Sequence, residues 1–118
     1  MKKDPVLYLE DILDSIDRIE AYTKKPGKKA FFDSCEKQDA VLRRLEIIGE
    51  AIKNVPEDIK AANSLIPWKK IAGLRDVLIH SYSGVNLERV WKIVVDDLPD
   101  LKRDMKQLIK ILKSKQED

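Results

Sequence analysis

The sequence predicts an all-α fold, a bundle of four or five helices in up-and-down order. Apolar residues recur at steps of three and four along most of the chain, which places them on one face of a helix. No useful stretch alternates apolar and polar residues with period two, and no hairpin signal is present. The charged fraction is 37% beside 43% hydrophobic residues, with only 4 Gly and 5 Pro. That balance fits amphipathic helices with solvated outer faces and argues against disorder or a turn-rich β protein. A length of 118 residues suits one domain, long enough to bury a core at roughly 65% of the unfolded surface.

The first helix is expected over residues 4–24. Asp4-Pro5 offers a capping acid followed by proline at the first helical position. Leu9, Ile12, Leu13, Ile16 and Ile19 form its stripe, with Asp11, Asp14, Asp17 and Arg18 opposite. Lys24-Lys25-Pro26-Gly27-Lys28-Lys29 ends it as a loop. This basic run reads first as a solvated loop, with phosphate contact as the other reading. Ala30-Phe31-Phe32-Asp33 is expected as a short helical turn, and a second long helix over residues 34–54. Val41, Leu45, Ile48, Ala51 and Ile52 make the stripe of that helix. Gly49 interrupts it at a cost of about 1 kcal/mol relative to alanine, which close packing against a neighbour would explain. Val55-Pro56-Glu57 opens a short segment to Asn63. Pro67-Trp68 then begins a helix with Trp68, Ile71, Leu74 and Leu78 on one face, running on through Arg75 and Tyr82. Ser83-Gly84-Val85-Asn86 reads as stop, turn and new cap.

The last helix has the cleanest pattern. Leu87, Trp91, Val94, Leu98, Leu101, Met105, Leu108 and Leu112 follow alternating steps of four and three. The pattern continues past Pro99, so a single long helix kinked at that proline is expected. The seam reads as the buried face of a bundle helix, with a coiled-coil dimer as the other reading. The polar tail after Leu112 is expected to fray.

Net charge is only +2, so RNA contact would need a local patch rather than a generally basic surface. The single cysteine, Cys35, excludes an intrachain disulfide and a cysteine zinc site. The single histidine, His80, excludes a multi-histidine metal site within one chain. No cofactor is implied. Neither a signal peptide nor a membrane span is recognisable, which leaves the cytoplasm as the expected compartment.

Chemistry concentrates in Arg75-Asp76-Val77-Leu78-Ile79-His80-Ser81-Tyr82. Asp76 and His80 are four apart and share a helix face, where a carboxylate orients an imidazole and favours its protonated form. Arg75 and Tyr82, seven apart, also share a face. Arg75 and His80 lie roughly 140° apart on an ideal helix. They border one cleft only if the arginine reaches over or the helix end distorts. These groups suit phosphodiester cleavage without a metal. The imidazole can take a proton from a ribose 2′-hydroxyl or give one to the leaving oxygen. The guanidinium can hold phosphate oxygens in a bidentate fork. One chain supplies one histidine where acid and base are both wanted. A symmetric dimer would bring two copies together, and lysine, tyrosine or water are the alternatives. On spacing alone, His80 also reads as a cap for the last carbonyls of its helix, and Arg75 and Asp76 as surface charges.

The Arg75-x4-His80-x-Tyr82 spacing resembles the motif of HepT-like (DUF86) proteins in the HEPN superfamily. The resemblance extends to Arg44-Leu45-Glu46-Ile47-Ile48-Gly49-Glu50-Ala51, Ile66-Pro67-Trp68, Ile71-Ala72-Gly73-Leu74-Arg75-Asp76, Val90-Trp91-Lys92-Ile93 and Leu98-Pro99. It implies a HEPN-type bundle across residues 1–118, usually a homodimer with the cleft at the interface. It implies a metal-independent endoribonuclease that acts as the toxin of a toxin–antitoxin pair. Arg75 and His80 would be catalytic and Asp76 supporting. The implied partner is an MntA-type minimal nucleotidyltransferase antitoxin, which transfers AMP from ATP to Tyr82. Glu50 would approach the cleft or be purely structural. The competing reading is a non-catalytic helical subunit that binds substrate for a separate nucleotidyltransferase.

Overall fold

The computed structural model describes residues 4–74 and 86–117. Helix α1 (Pro5–Thr23) starts where Asp4 accepts a hydrogen bond from the Val6 amide at 2.9 Å, with proline at the first helical position. Leu9, Ile12, Ile16 and Ile19 are fully buried, and Leu13 packs half-buried beside them. The short α2 (Gly27–Phe32) begins three residues before the expected turn. Gly27 has φ +86°, a left-handed conformation that glycine enters without a Cβ penalty, and this lets the chain reverse directly out of Pro26. Phe31 is fully buried and stacks at 5.5 Å on Trp91, while the Gln38 amide donates to the Phe31 and Phe32 carbonyls at 3.0 Å each.

Helix α3 (Cys35–Asn54) is capped by Ser34, whose hydroxyl accepts from the Lys37 amide at 3.1 Å. Val41, Leu45, Ile48, Ala51 and Ile52 are buried as the stripe predicts, and Gly49 lies on the same buried face. This face packs along α1. Helix α4 (Glu57–Ala62) buries none of its residues. The Asn63 carbonyl that follows accepts from the Trp68 indole at 3.1 Å, which sets the start of α5 (Trp68–Ala72). Trp68, Ile71 and Leu74 are buried. Within the helix expected to run from Trp68 through Tyr82, α5 is capped at Gly73, whose amide bonds back to the Lys69 carbonyl at 2.9 Å, and helical geometry resumes at Leu74. Glycine is a poor helix former, and Gly73 keeps a right-handed φ of −69°. The remainder of that expected helix lies outside the described residues.

The last helical run has three parts: α6 (Leu87–Lys92), a π-helical turn (Ile93–Asp97) and α7 (Leu98–Glu117). The expected proline kink takes the form of this wide turn just ahead of Pro99. Proline has no amide hydrogen and its ring crowds the carbonyl four residues back, that of Val95. The Leu98 amide instead reaches the Ile93 carbonyl, five residues back. The wide turn displaces the buried face by about one residue. Beyond it Leu98, Leu101, Met105 and Leu108 are buried as the seam predicts. Val90 before it and Ile93 and Val94 within it are buried, Val94 as the seam predicts, while Leu87 and Trp91, both also expected on the seam, are only partly buried. The seam is thus the inner face of a bundle helix, packed on α1. All the buried apolar residues among those described belong to one core cluster. No helix among the described residues is long and apolar enough to cross a membrane.

Lys102 ties α7 to α1. Its ammonium donates to both Glu20 carboxylate oxygens at 3.1 Å and lies 3.3 Å from Asp17 Oδ1. Partial burial pushes the Glu20 carboxyl upward. The hydrogen bond and charge of Lys102, joined by Lys24, outweigh that and hold it below the usual value. The hydrogen bond that Lys102 donates to Glu20 overcomes burial and, with Asp17, holds Lys102 above the usual lysine value. A depressed carboxyl stabilises the fold above its unfolded pKa and ceases to as pH falls through its folded pKa; a raised lysine stabilises below its unfolded pKa and is lost only in strong alkali. Lys102→Met is therefore expected to cost about 1 kcal/mol at pH 7 and markedly less at pH 3, measured by urea unfolding. An equal cost at both pH values would show that stem packing, not the ion pair, matters.

Candidate functional site

Arg75, Asp76, His80 and Tyr82 lie outside the described residues. The structure fixes the two points between which they are held. On the entry side Leu74 is 7% exposed and anchored in the core after α5. On the return side Asn86 caps α6, its side-chain oxygen accepting from the Arg89 amide and its carbonyl from the Val90 amide, both at 3.1 Å. Helix α6 is in turn fixed to α2 by the Phe31–Trp91 contact and by a Lys28–Glu88 ion pair at 3.1 Å. Leu74 is thus tied to the core and Asn86 to the start of a packed helix.

A cleft of about 380 Å³ opens beside Leu74, lined also by Gly73 and Ile93. Lys69 and Lys70 line it from α5, and Arg89 and Lys92 from α6, with Asp97 as the one carboxylate among its described lining residues. Lys70 and Asp97 pair at 3.3 Å across it. All four cations are exposed. The volume is on the scale of small-ligand sites, and four cations against one carboxylate favour an anionic occupant.

These four residues were missed by sequence reasoning. Lys69-Lys70 and Arg89/Lys92 each look like ordinary solvated charges, and their only sequence signal is that they flank the chemistry-bearing segment on both sides. Glu50 is half-buried on α3, and its backbone carbonyl accepts from the Asn54 side chain at 3.1 Å. Cys35 is a free, exposed thiol at the start of α3. No cluster of three potential metal ligands occurs among the described residues.

Comparison with known proteins places this arrangement in a family. The profile of the family described as "Ribonuclease HepT-like" matches residues 12–108. A protein of Methanocaldococcus jannaschii named "Gamma-glutamylcyclotransferase and putative RNase" is 47% identical over 112 residues, 95% of this chain and 50% of its own length. The chain thus spans about half of that relative. "Probable ribonuclease HepT" of Thermococcus cleftensis is 44% identical over 110 residues, covering 93% of this chain and 100% of its own. No solved structure is a significant match. The family profile spans every described helix that anchors the Arg75–Tyr82 segment and the cleft beside it, and on that basis the chain belongs to the HepT-like family.

Proposed function

We propose that this chain is a metal-independent endoribonuclease, a single HepT-like HEPN domain acting in the cytoplasm as the toxin of a toxin–antitoxin pair. The observation that carries the reading is the intact Arg75-x4-His80-x-Tyr82 spacing inside a chain that matches the ribonuclease family across residues 12–108. In this reading a ribose 2′-oxygen attacks the adjacent phosphorus as its proton passes to a base. The bond from phosphorus to the 5′-oxygen breaks, and an acid protonates that leaving oxygen. The products are a 2′,3′-cyclic phosphate and a free 5′-hydroxyl. His80 serves as one of the proton-transfer groups, and its copy in a homodimer partner as the other. Arg75 holds the phosphate oxygens and offsets charge gained in the transition state. Asp76, four positions before His80, orients the imidazole.

Control comes from an MntA-type nucleotidyltransferase that adenylylates Tyr82. The Tyr82 oxygen attacks the α-phosphorus of ATP, releases pyrophosphate, and leaves an AMP whose bulk and negative charge repel an RNA phosphate at the site. Purified protein is expected to cleave RNA with EDTA present, leaving cyclic phosphate ends. Incubation with the cognate transferase and ATP is expected to stop cleavage as adenylyl mass appears on the peptide containing Tyr82. RNA that stays intact at every protein ratio would defeat the nuclease reading. Inactivation with the mass on another residue would defeat the Tyr82 assignment alone.

A further inference from the structure

Among the described residues two basic surfaces differ in how far their charge is already compensated. In the loop around Pro26, Lys24 pairs with Glu20 at 3.4 Å, Lys28 with Glu88 at 3.1 Å and Lys29 with Asp33 at 2.7 Å. In the cleft beside Leu74, only Lys70 among the described cations is paired, with Asp97. Among the described residues Lys69, Arg89 and Lys92 enter no ion pair. They converge on one concave opening from two helices, one preceding and one following the Arg75–Tyr82 segment. Exposed cations gathered in excess of carboxylates repel one another, by about 1 kcal/mol for a pair 4 Å apart in water and less at greater distance. An anion entering the opening relieves that repulsion.

We propose that Lys69, Arg89 and Lys92 form the phosphate-binding track that positions single-stranded RNA across the cleft, flanking the scissile bond. This rests on the ribonuclease reading for its choice of ligand. The three side chains bind backbone phosphates and carry no sequence preference. Lys70, held by Asp97, contributes less. The loop lysines, three of the four already paired, are not part of the track.

The test is binding of a fluorescent single-stranded RNA of mixed sequence by His80→Ala protein, which separates affinity from cleavage, titrated over 50–200 mM salt. Each lost phosphate contact lowers the slope of log K against log salt by about 0.7 and affinity at 0.1 M salt by about fivefold. The Lys69→Ala/Arg89→Ala/Lys92→Ala combination is expected to lower the slope by about 2 and affinity by about 100-fold. The Lys24→Ala/Lys25→Ala/Lys29→Ala combination is expected to change affinity by less than about threefold. All six positions are exposed, and equal melting temperatures confirm that the fold survives. Unchanged binding by the cleft variant, or an equal loss in the loop variant, would overturn the track even if the protein cleaves RNA. RNA binding that weakens as expected in a protein that never cleaves would uphold the track and defeat the nuclease reading. An absence of RNA binding by the protein with its cleft intact would overturn both.

Discussion

Replacing His80 with alanine is expected to lower RNA cleavage by about 10²–10⁴-fold. Imidazole is the one side chain whose ordinary pKa, near 6.5, lets it both take and give a proton at physiological pH, and the chain has no second histidine to take over. Arg75 would still hold and stabilise the phosphate, so the variant should keep its affinity for RNA and lose turnover. Arg75→Ala is expected to cost about 10²–10³-fold through lost charge stabilisation. Arg75→Lys should recover little, because an ammonium cannot reproduce the bidentate fork. The double variant should be scarcely worse than His80→Ala, since groups acting in one step are not additive. Single-turnover cleavage in EDTA measures all four proteins. Growth inhibition on expression should fall in the same order. Wild-type turnover by His80→Ala would remove the histidine from the mechanism outright.

The second large effect concerns stability. Phe31→Ala is expected to destabilise the fold by about 3–5 kcal/mol, out of a total of about 5–15 kcal/mol for a typical domain. Phe31 is fully buried, stacks on Trp91 at 5.5 Å and meets the edge of Phe32 at 5.7 Å. The ring fastens α2 to α6, so its loss also loosens the Lys28–Glu88 pair and the anchor at Asn86. The melting temperature should fall by about 10–20 °C for a chain of this size. Phe31→Leu should lose about half as much, because it leaves a smaller cavity. A drop below about 3 °C for the alanine variant would mean that the neighbouring rings collapse into the space.

Most of the fold was legible because its signals are local. Asp4-Pro5 and Ser34 are caps whose chemistry acts within three residues. The stripes of α1 and α3 lie in regular helices, where the period alone assigns the buried face. The last helix was harder. Upstream of Pro99 the sequence offers two apolar sets, Leu87/Trp91 and Val90/Ile93, and periodicity cannot choose between them. The choice is made by a proline that acts backwards on the turn before it, which shifts the phase only upstream. Gly27 was misplaced for a related reason: Pro-Gly reads as a loop, yet one left-handed residue there suffices to start α2. As for the candidate site, the motif was legible as spacing between Arg75, His80 and Tyr82. The cleft was not. Lys69 and Arg89 stand twenty positions apart, and no pattern along the chain announces that the ends of α5 and α6 face the same opening.

The wide turn at Ile93–Asp97 has a consequence for that opening. It is equivalent to a surplus residue wound into an otherwise continuous rod, so the stretch ahead of it is clocked differently from the stretch behind. Leu98 through Leu108 can stay bolted to α1 while Arg89 and Lys92 are aimed elsewhere. Rewinding that coil to ordinary α geometry would swing everything upstream by roughly 100°. The same swing would expose Val90 and carry both cations away from Lys69. Core closure and charge alignment are thus set by the winding of a single coil.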